Sequence, residues 1–162
     1  MRFLLKGALL SLTLGLALSS NAHAQSVPEL HSLGKTYFDA WVATQQPGAT
    51  SDVLENYLAL LDDNVGYEHK PHRLLGEVDG GKDRMREGMT YYLGKNVAFD
   101  VKLTGLVAAK GMVAIEYEGE HVFQRGGEGP VLTEQFRAVD VLEVADGKVA
   151  IIRQFRGEFT GQ

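Results

Sequence analysis

From Asn96 onward the chain alternates apolar and polar residues almost without interruption, and it does so in four successive runs separated by short turns. In the first, Phe99, Val101 and Leu103 fall on one side and Asp100, Lys102 and Thr104 on the other. A period of two is the pattern of a half-buried β-strand, and no helix sustains it. Ala109-Lys110-Gly111 reads as a turn, Met112 to Gln124 as the second strand, glycine-rich Gly126 to Pro130 as a hairpin connection, and Val131 to Val144 as the third. Asp146-Gly147 is a tight-turn pair, and Lys148 to Arg156 is the fourth strand.

The chain before this region keeps a different period. Leu30, Leu33, Tyr37, Phe38, Trp41 and Val42 follow a three-and-four spacing, so a helix is expected from Pro28 until Pro47 and Gly48 break it. Asp52 followed by Glu55 resembles a capping box for a second helix running to about Asp62, with Val53, Leu54, Tyr57, Leu58 and Leu61 as its buried stripe. Val65, Tyr67 and His69 then alternate with Gly66, Glu68 and Lys70 in a short strand that Pro71 stops. Gly80 and Gly81 precede a charged helix from Lys82 to Leu93, whose apolar side carries Met85, Met89 and Tyr92. They do not belong to a phosphate loop, because the GxxxxGK pattern is absent. Helices first and hairpin-connected strands afterwards imply an α+β domain in which three to four helices cover one face of a curling, antiparallel-rich sheet. Such a sheet can enclose a pocket.

Residues 1 to 24 are expected to be removed before folding. Arg2 and Lys6 precede an apolar run from Gly7 to Leu18 that ends in Ala22-His23-Ala24, the layout of a secretory signal with a small-residue cleavage site. The run is shorter than the roughly 20 residues a spanning helix needs. Residues 25 to 162 would then form one exported domain, periplasmic or secreted, with no membrane segment left. The cysteine count of 0 means that it depends on packing alone, without disulfides or thiolate metal sites. Without Arg2 and Lys6 its net charge is about −7, which argues against a nucleic-acid partner.

Several short stretches resemble the nuclear transport factor 2-like superfamily, the cone-shaped fold of SnoaL-like polyketide cyclases, ketosteroid isomerases and limonene epoxide hydrolases. They are Tyr37 followed by Trp41, Tyr67-Glu68-His69-Lys70-Pro71, Gly81-Lys82-Asp83, and Asp146-Gly147-Lys148-Val149 leading to Arg153-Gln154-Phe155. The resemblance spans about Leu30 to Phe155 and implies a concave pocket, cofactor-free chemistry and, in many members, a homodimer through the sheet face. Particular activities need particular residues. Where the epoxide hydrolases carry an inward Arg and two Asp, this chain has Tyr117, Gly119 and Gln154. Tyr37 matches the oxyanion-binding tyrosine of the isomerases, but Lys70 stands where their base precedes the proline, and Arg137 lies at or near their strand Asp. The cyclases use a His and an Asp, and His69, His121 and Asp140 are of the right type.

Strand parity gives an argument that needs no family. If Val65 is inward, Tyr67 and His69 are too, and if Ile115 is inward, so are Tyr117 and His121. Two imidazoles would then share one hollow, with Trp41, Tyr117, His121 and Gln154 in its lining. Histidine titrates nearest neutrality, so His69 is the expected general base. Tyr37 and Tyr67 would donate to a developing oxyanion, and Arg137 would stabilise an anion. A satisfied core histidine is the competing account of His121. His69 and His72 flank Pro71 in extended chain, which points the rings apart and argues against a shared metal; no cofactor is implied. Glu116, Glu118 and Glu120 form a row that Lys102, Arg153 and Arg125 could answer. The expected ligand is a small, mostly apolar molecule. The functional classes are an acid–base enzyme of isomerase, cyclase, dehydratase or hydrolase type, a non-catalytic carrier or sensor, or a dimeric interaction module.

Overall fold

The computed structural model describes residues 25–70, 81–124 and 129–158. The expected signal segment, Pro71, His72 and Arg125 lie outside these residues. Helix α1 (Val27–Gln45) begins at Ser26, whose hydroxyl accepts from the Glu29 amide while the Glu29 carboxylate accepts from the Ser26 amide at 2.8 Å. This reciprocal capping box satisfies two otherwise orphaned donors. The box expected at Asp52 and Glu55 does not form. Helix α2 (Ser51–Leu58) starts after Thr50 without a side-chain cap, and Glu55 instead binds Arg86, with Nε 2.6 Å from the carboxylate.

The second helix is also shorter than expected, because Leu61 already belongs to a strand. Strand β1 (Leu61–Lys70) runs parallel to β5 (Lys148–Glu158) and pairs Leu61 with Val149 and Tyr67 with Ile152. The register shifts between Leu61 and Gly66, which breaks the alternation over Asp62, Asp63 and Asn64 and hides the first half of the strand from a period-two reading. Helix α3 (Gly81–Tyr92) begins where a glycine is required. Gly81 has φ +51°, and a Cβ there would lie 2.2 Å from the Asp63 carbonyl oxygen.

Strands β2 (Ala98–Ala109), β3 (Met112–Gln124) and β4 (Val131–Ala145) complete a mixed sheet in the order β1-β5-β4-β3-β2, antiparallel throughout except for β1 against β5. The β4–β5 turn places Asp146 and Gly147 at φ 47° and 78°, the twist-matched geometry of a two-residue hairpin. The three helices cover the concave face of the sheet. Val113, Ile115 and Tyr117 of β3, Phe136, Ala138 and Leu142 of β4, and Ile152 of β5 pack there against Leu30, Tyr37, Phe38, Leu54 and Leu58. Gly34 lets α1 approach closely, since a Cβ there would lie 2.5 Å from Val113 Cγ1. Glu116, Glu118 and Glu120 interleave with the inward residues of β3, so their row lies on the convex face, as the alternation required.

Candidate active site

The core does not fill the concave side of the sheet completely. A cavity of about 420 Å³ remains there, walled by Tyr37, Trp41 and Gln45 of α1, Tyr57 of α2, Tyr67 of β1, one side of α3, and Gln154 and Arg156 of β5. Its α3 wall is Arg84, Met85, Gly88, Met89 and Tyr92. Aromatic and thioether surfaces predominate, with a few fixed polar groups, the composition of a small-molecule site.

Two sets of hydrogen bonds organise those polar groups. Tyr37 and Tyr57, with ring centroids 5.4 Å apart, share one hydrogen bond of 3.2 Å between their hydroxyls. One bond between two hydroxyls leaves one proton to donate elsewhere. The second set begins at Asp140, which is 2% exposed on β4 and pairs across the ladder with Gln154. The Tyr117 hydroxyl donates to the Asp140 carboxylate at 3.0 Å and accepts from Gln154 Nε2 at 2.9 Å. Gln154 Oε1 in turn accepts from the Tyr67 hydroxyl at 3.2 Å. A continuous chain thus links a buried carboxyl to two residues of the cavity wall.

Burial disfavours the charged carboxylate and pushes the Asp140 pKa up to about 7, against the opposing hydrogen bonds from Tyr117 and Gln154. Burial likewise pushes the phenols of Tyr37, Tyr57, Tyr67 and Tyr117 above their ordinary value, so all four remain donors at neutral pH. The site therefore holds one group titrating near neutrality among donors that do not ionise, an arrangement suited to moving a proton and stabilising an oxyanion.

The expected site residues are only partly brought together. Tyr37, Trp41, Tyr67 and Gln154 line the cavity, and Tyr117 stands directly behind it, its ring 5.1 Å from Trp41. Arg137 is corrected: Phe136 and Ala138 are its inward neighbours, so it points out of the convex face, where Nη2 lies 2.8 Å from Glu118. It cannot serve a ligand in the cavity. Arg137 also answers the glutamate row in place of Arg153, which pairs with Glu68 at 3.0 Å and with Glu143.

The two histidines do not meet in one hollow. His69 is half-buried beside Tyr67, with ring centroids 6.3 Å apart, and faces Gln154 in the β1–β5 register, but it is not among the described residues of the cavity wall. His121 points to the concave side as expected, yet farther out, into a second cleft with Tyr91, Tyr92, Lys95 and Phe123. There its Nε2 lies 3.0 Å from Asn96 Oδ1, and Asn96 donates to the Gln45 carbonyl, which fixes the amide orientation and makes Nε2 the protonated nitrogen. Burial, helped by Arg156, lowers the His121 pKa and so favours the neutral ring.

Tyr57 and Arg156 were not expected in the site, and Asp140 was expected only by residue type. Parity carries a usable signal for two of them. Arg156 follows Ile152 and Gln154 at the inward period, and Asp140 is the lone charge among inward Phe136, Ala138 and Leu142.

No protein-family model and no curated protein matches this sequence. Solved structures do match. An LEH-like epoxide hydrolase of M. tuberculosis is 21% identical with a TM-score of 0.60, over 81% of this chain and 84% of that one. A Kribbella flavida DSM 17836 protein provisionally named a ketosteroid isomerase is 20% identical with a TM-score of 0.57, over 84% and 83%. A Shewanella putrefaciens CN-32 protein provisionally named a SnoaL-like polyketide cyclase is 12% identical with a TM-score of 0.61, over 82% and 91%. At these identities the likeness concerns the backbone, and it agrees with the mixed curved sheet and three covering helices seen here: this chain has the nuclear transport factor 2-like, SnoaL-like α+β fold.

Proposed function

We propose that this protein is a cofactor-free acid–base enzyme that moves a proton within a small, mostly apolar substrate. The observation that carries the reading is Asp140, a buried carboxyl with a pKa near 7 joined through Tyr117 and Gln154 to the cavity wall. In this reading the substrate oxygen accepts from Tyr37, whose proton the Tyr57 bond leaves free, and that phenol stabilises the charge developing on the oxygen, while the Tyr67 proton is engaged by Gln154 Oε1. Asp140 acts along the Tyr67–Gln154–Tyr117 chain: as Tyr67 takes up a substrate proton, its own passes to Gln154 Oε1, a Gln154 Nε2 proton passes to Tyr117 and the Tyr117 proton to the ionised Asp140 carboxylate, and the reverse transfer returns it, so that no redox partner is needed. His69, beyond Tyr67 on β1, is the second candidate base. General acid–base catalysis contributes roughly 10²- to 10⁴-fold, which sets the scale of the loss expected when the group is removed.

The test is label incorporation. Small cyclic ketones and epoxides are incubated with the protein in deuterated or ¹⁸O-labelled water, and the products are followed by NMR and mass spectrometry. The expected result is incorporation into at least one compound by the wild type and at least about a hundredfold slower incorporation by Asp140→Asn. His69→Ala is expected to retain more than a tenth of the wild-type rate with unchanged thermal stability. Turnover that survives Asp140→Asn and vanishes in His69→Ala would move the role to the imidazole.

A carrier or sensor is the second reading, favoured by one observation: no carboxylate lies among the described residues of the cavity wall. Binding without label exchange across the panel would select it. Export belongs to the proposal as well, resting on the charged and apolar pattern of residues 2 to 18. Cell fractionation and N-terminal sequencing of the mature chain test it.

A further inference from the structure

The cavity wall is not electrically neutral. Arg84 and Arg156 are the charged side chains on it among the described residues, one from α3 and one from β5. The guanidinium of Arg156 is held in place from two directions: its Cζ sits 3.8 Å above the Phe136 ring, and Nη2 donates to Glu134 at 2.6 Å. A planar cation fixed in this way has lost its rotamer freedom before any ligand arrives, so a bound anion need not supply that ordering cost. Five N–H donors belong to this group, and the Glu134 bond uses one of them. Nε is sealed from solvent and has no acceptor among the described residues, so this guanidinium is short of acceptors. Glu134 itself is not part of the cavity wall and offsets the charge of Arg156 from behind, whereas Arg84 is exposed at the opening.

Resting on the pocket reading above and refining its substrate class, we infer that the natural ligand is an apolar molecule bearing one anionic group, a carboxylate or its enolate equivalent, which docks against Arg156 and enters past Arg84. The anion-stabilising role expected of Arg137 is taken by a different arginine on the opposite face of the sheet. Tyr37, Trp41, Met85 and Met89 receive the apolar body of the same molecule.

A matched triad tests this: 4-phenylbutanoate, 4-phenylbutan-1-ol and 4-phenylbutylammonium share one apolar body and differ in charge. Isothermal titration at low and high NaCl measures each against the full domain. The carboxylate should bind at least about tenfold more tightly than the alcohol and weaken as salt rises, since exposed charges are screened within about 10 Å at 0.1 M. Arg156→Gln and, independently, Arg84→Gln should weaken the carboxylate and leave the alcohol unchanged. Because Arg156 also supports Phe136 and Glu134, Arg84→Gln keeps the test available should Arg156→Gln fold poorly. Equal binding of alcohol and carboxylate overturns the anion inference while the apolar pocket stands. Preference for the ammonium overturns it as well, and binding by none of the three overturns both readings.

Discussion

The Asp140 carboxyl makes the stability of the fold depend on pH in a direction opposite to that of an ordinary paired aspartate. Its pKa is about 7 in the folded chain against 3.8 for the free side chain, so the folded state binds this proton more tightly than the unfolded state does. The associated stability is present in full below about pH 4 and is lost as pH rises from there through 7. At about 1.4 kcal/mol per pH unit, the ionisation of this one group removes about 2 to 3 kcal/mol between pH 5 and pH 8. Asp140→Asn keeps a carbonyl that accepts from Tyr117 and cannot ionise. Urea denaturation of both proteins at pH 5 and pH 8, with equal m-values, gives the difference directly. The variant should gain about 2 to 3 kcal/mol on the wild type between the two pH values, whatever their offset at pH 5. Parallel pH dependences, or a variant that loses ground at pH 8, would refute the claim that burial of the Asp140 carboxyl outweighs the hydrogen bonds it accepts.

Tyr117→Phe deprives the Asp140 carboxylate of its hydroxyl donor and Gln154 Nε2 of its acceptor, so it should cost about 1 to 3 kcal/mol by denaturation and move the Asp140 midpoint still higher. Gly34→Val drives side-chain carbon into Val113 Cγ1, where even a Cβ would sit at 2.5 Å, and should destabilise by about 1 to 3 kcal/mol in the same assay. Arg137→Ala removes an exposed ion pair on the convex face and should leave both ligand binding and turnover at wild-type values, as titration and rate measurements would show.

The sheet was legible because alternation is a local property. Met112 to Gln124 reads as a strand from its own residues, and the structure returns the same limits. Strand β1 was half hidden because its register shift places Asp62, Asp63 and Asn64 where alternation fails, and the end of α2 was misplaced for the same reason. Glu55 resembled a cap partner because the pattern cannot show that Arg86, thirty-one residues later, competes for it.

In the site, one-residue parity decided most outcomes. Tyr67 and Gln154 follow the inward period of their strands and meet at 3.2 Å, whereas Arg137 alternates with inward Phe136 and Ala138 and so lies on the convex face. The inward direction of His121 was also legible, but not its distance along the strand from the cavity. Asp140 was visible as a residue type. Its chemistry depends on Tyr117 and Gln154, which reach it from the two flanking strands, and no local pattern reports such a meeting.

The most direct measurement is the titration of the Asp140 side-chain carboxyl by ¹³C NMR, assigned by comparison with Asp140→Asn. A midpoint near 7 is predicted, shifting upward in Tyr117→Phe. A midpoint near 4, the value of a solvated aspartate, would contradict the account, because a carboxylate ionised throughout the working range holds no proton to move.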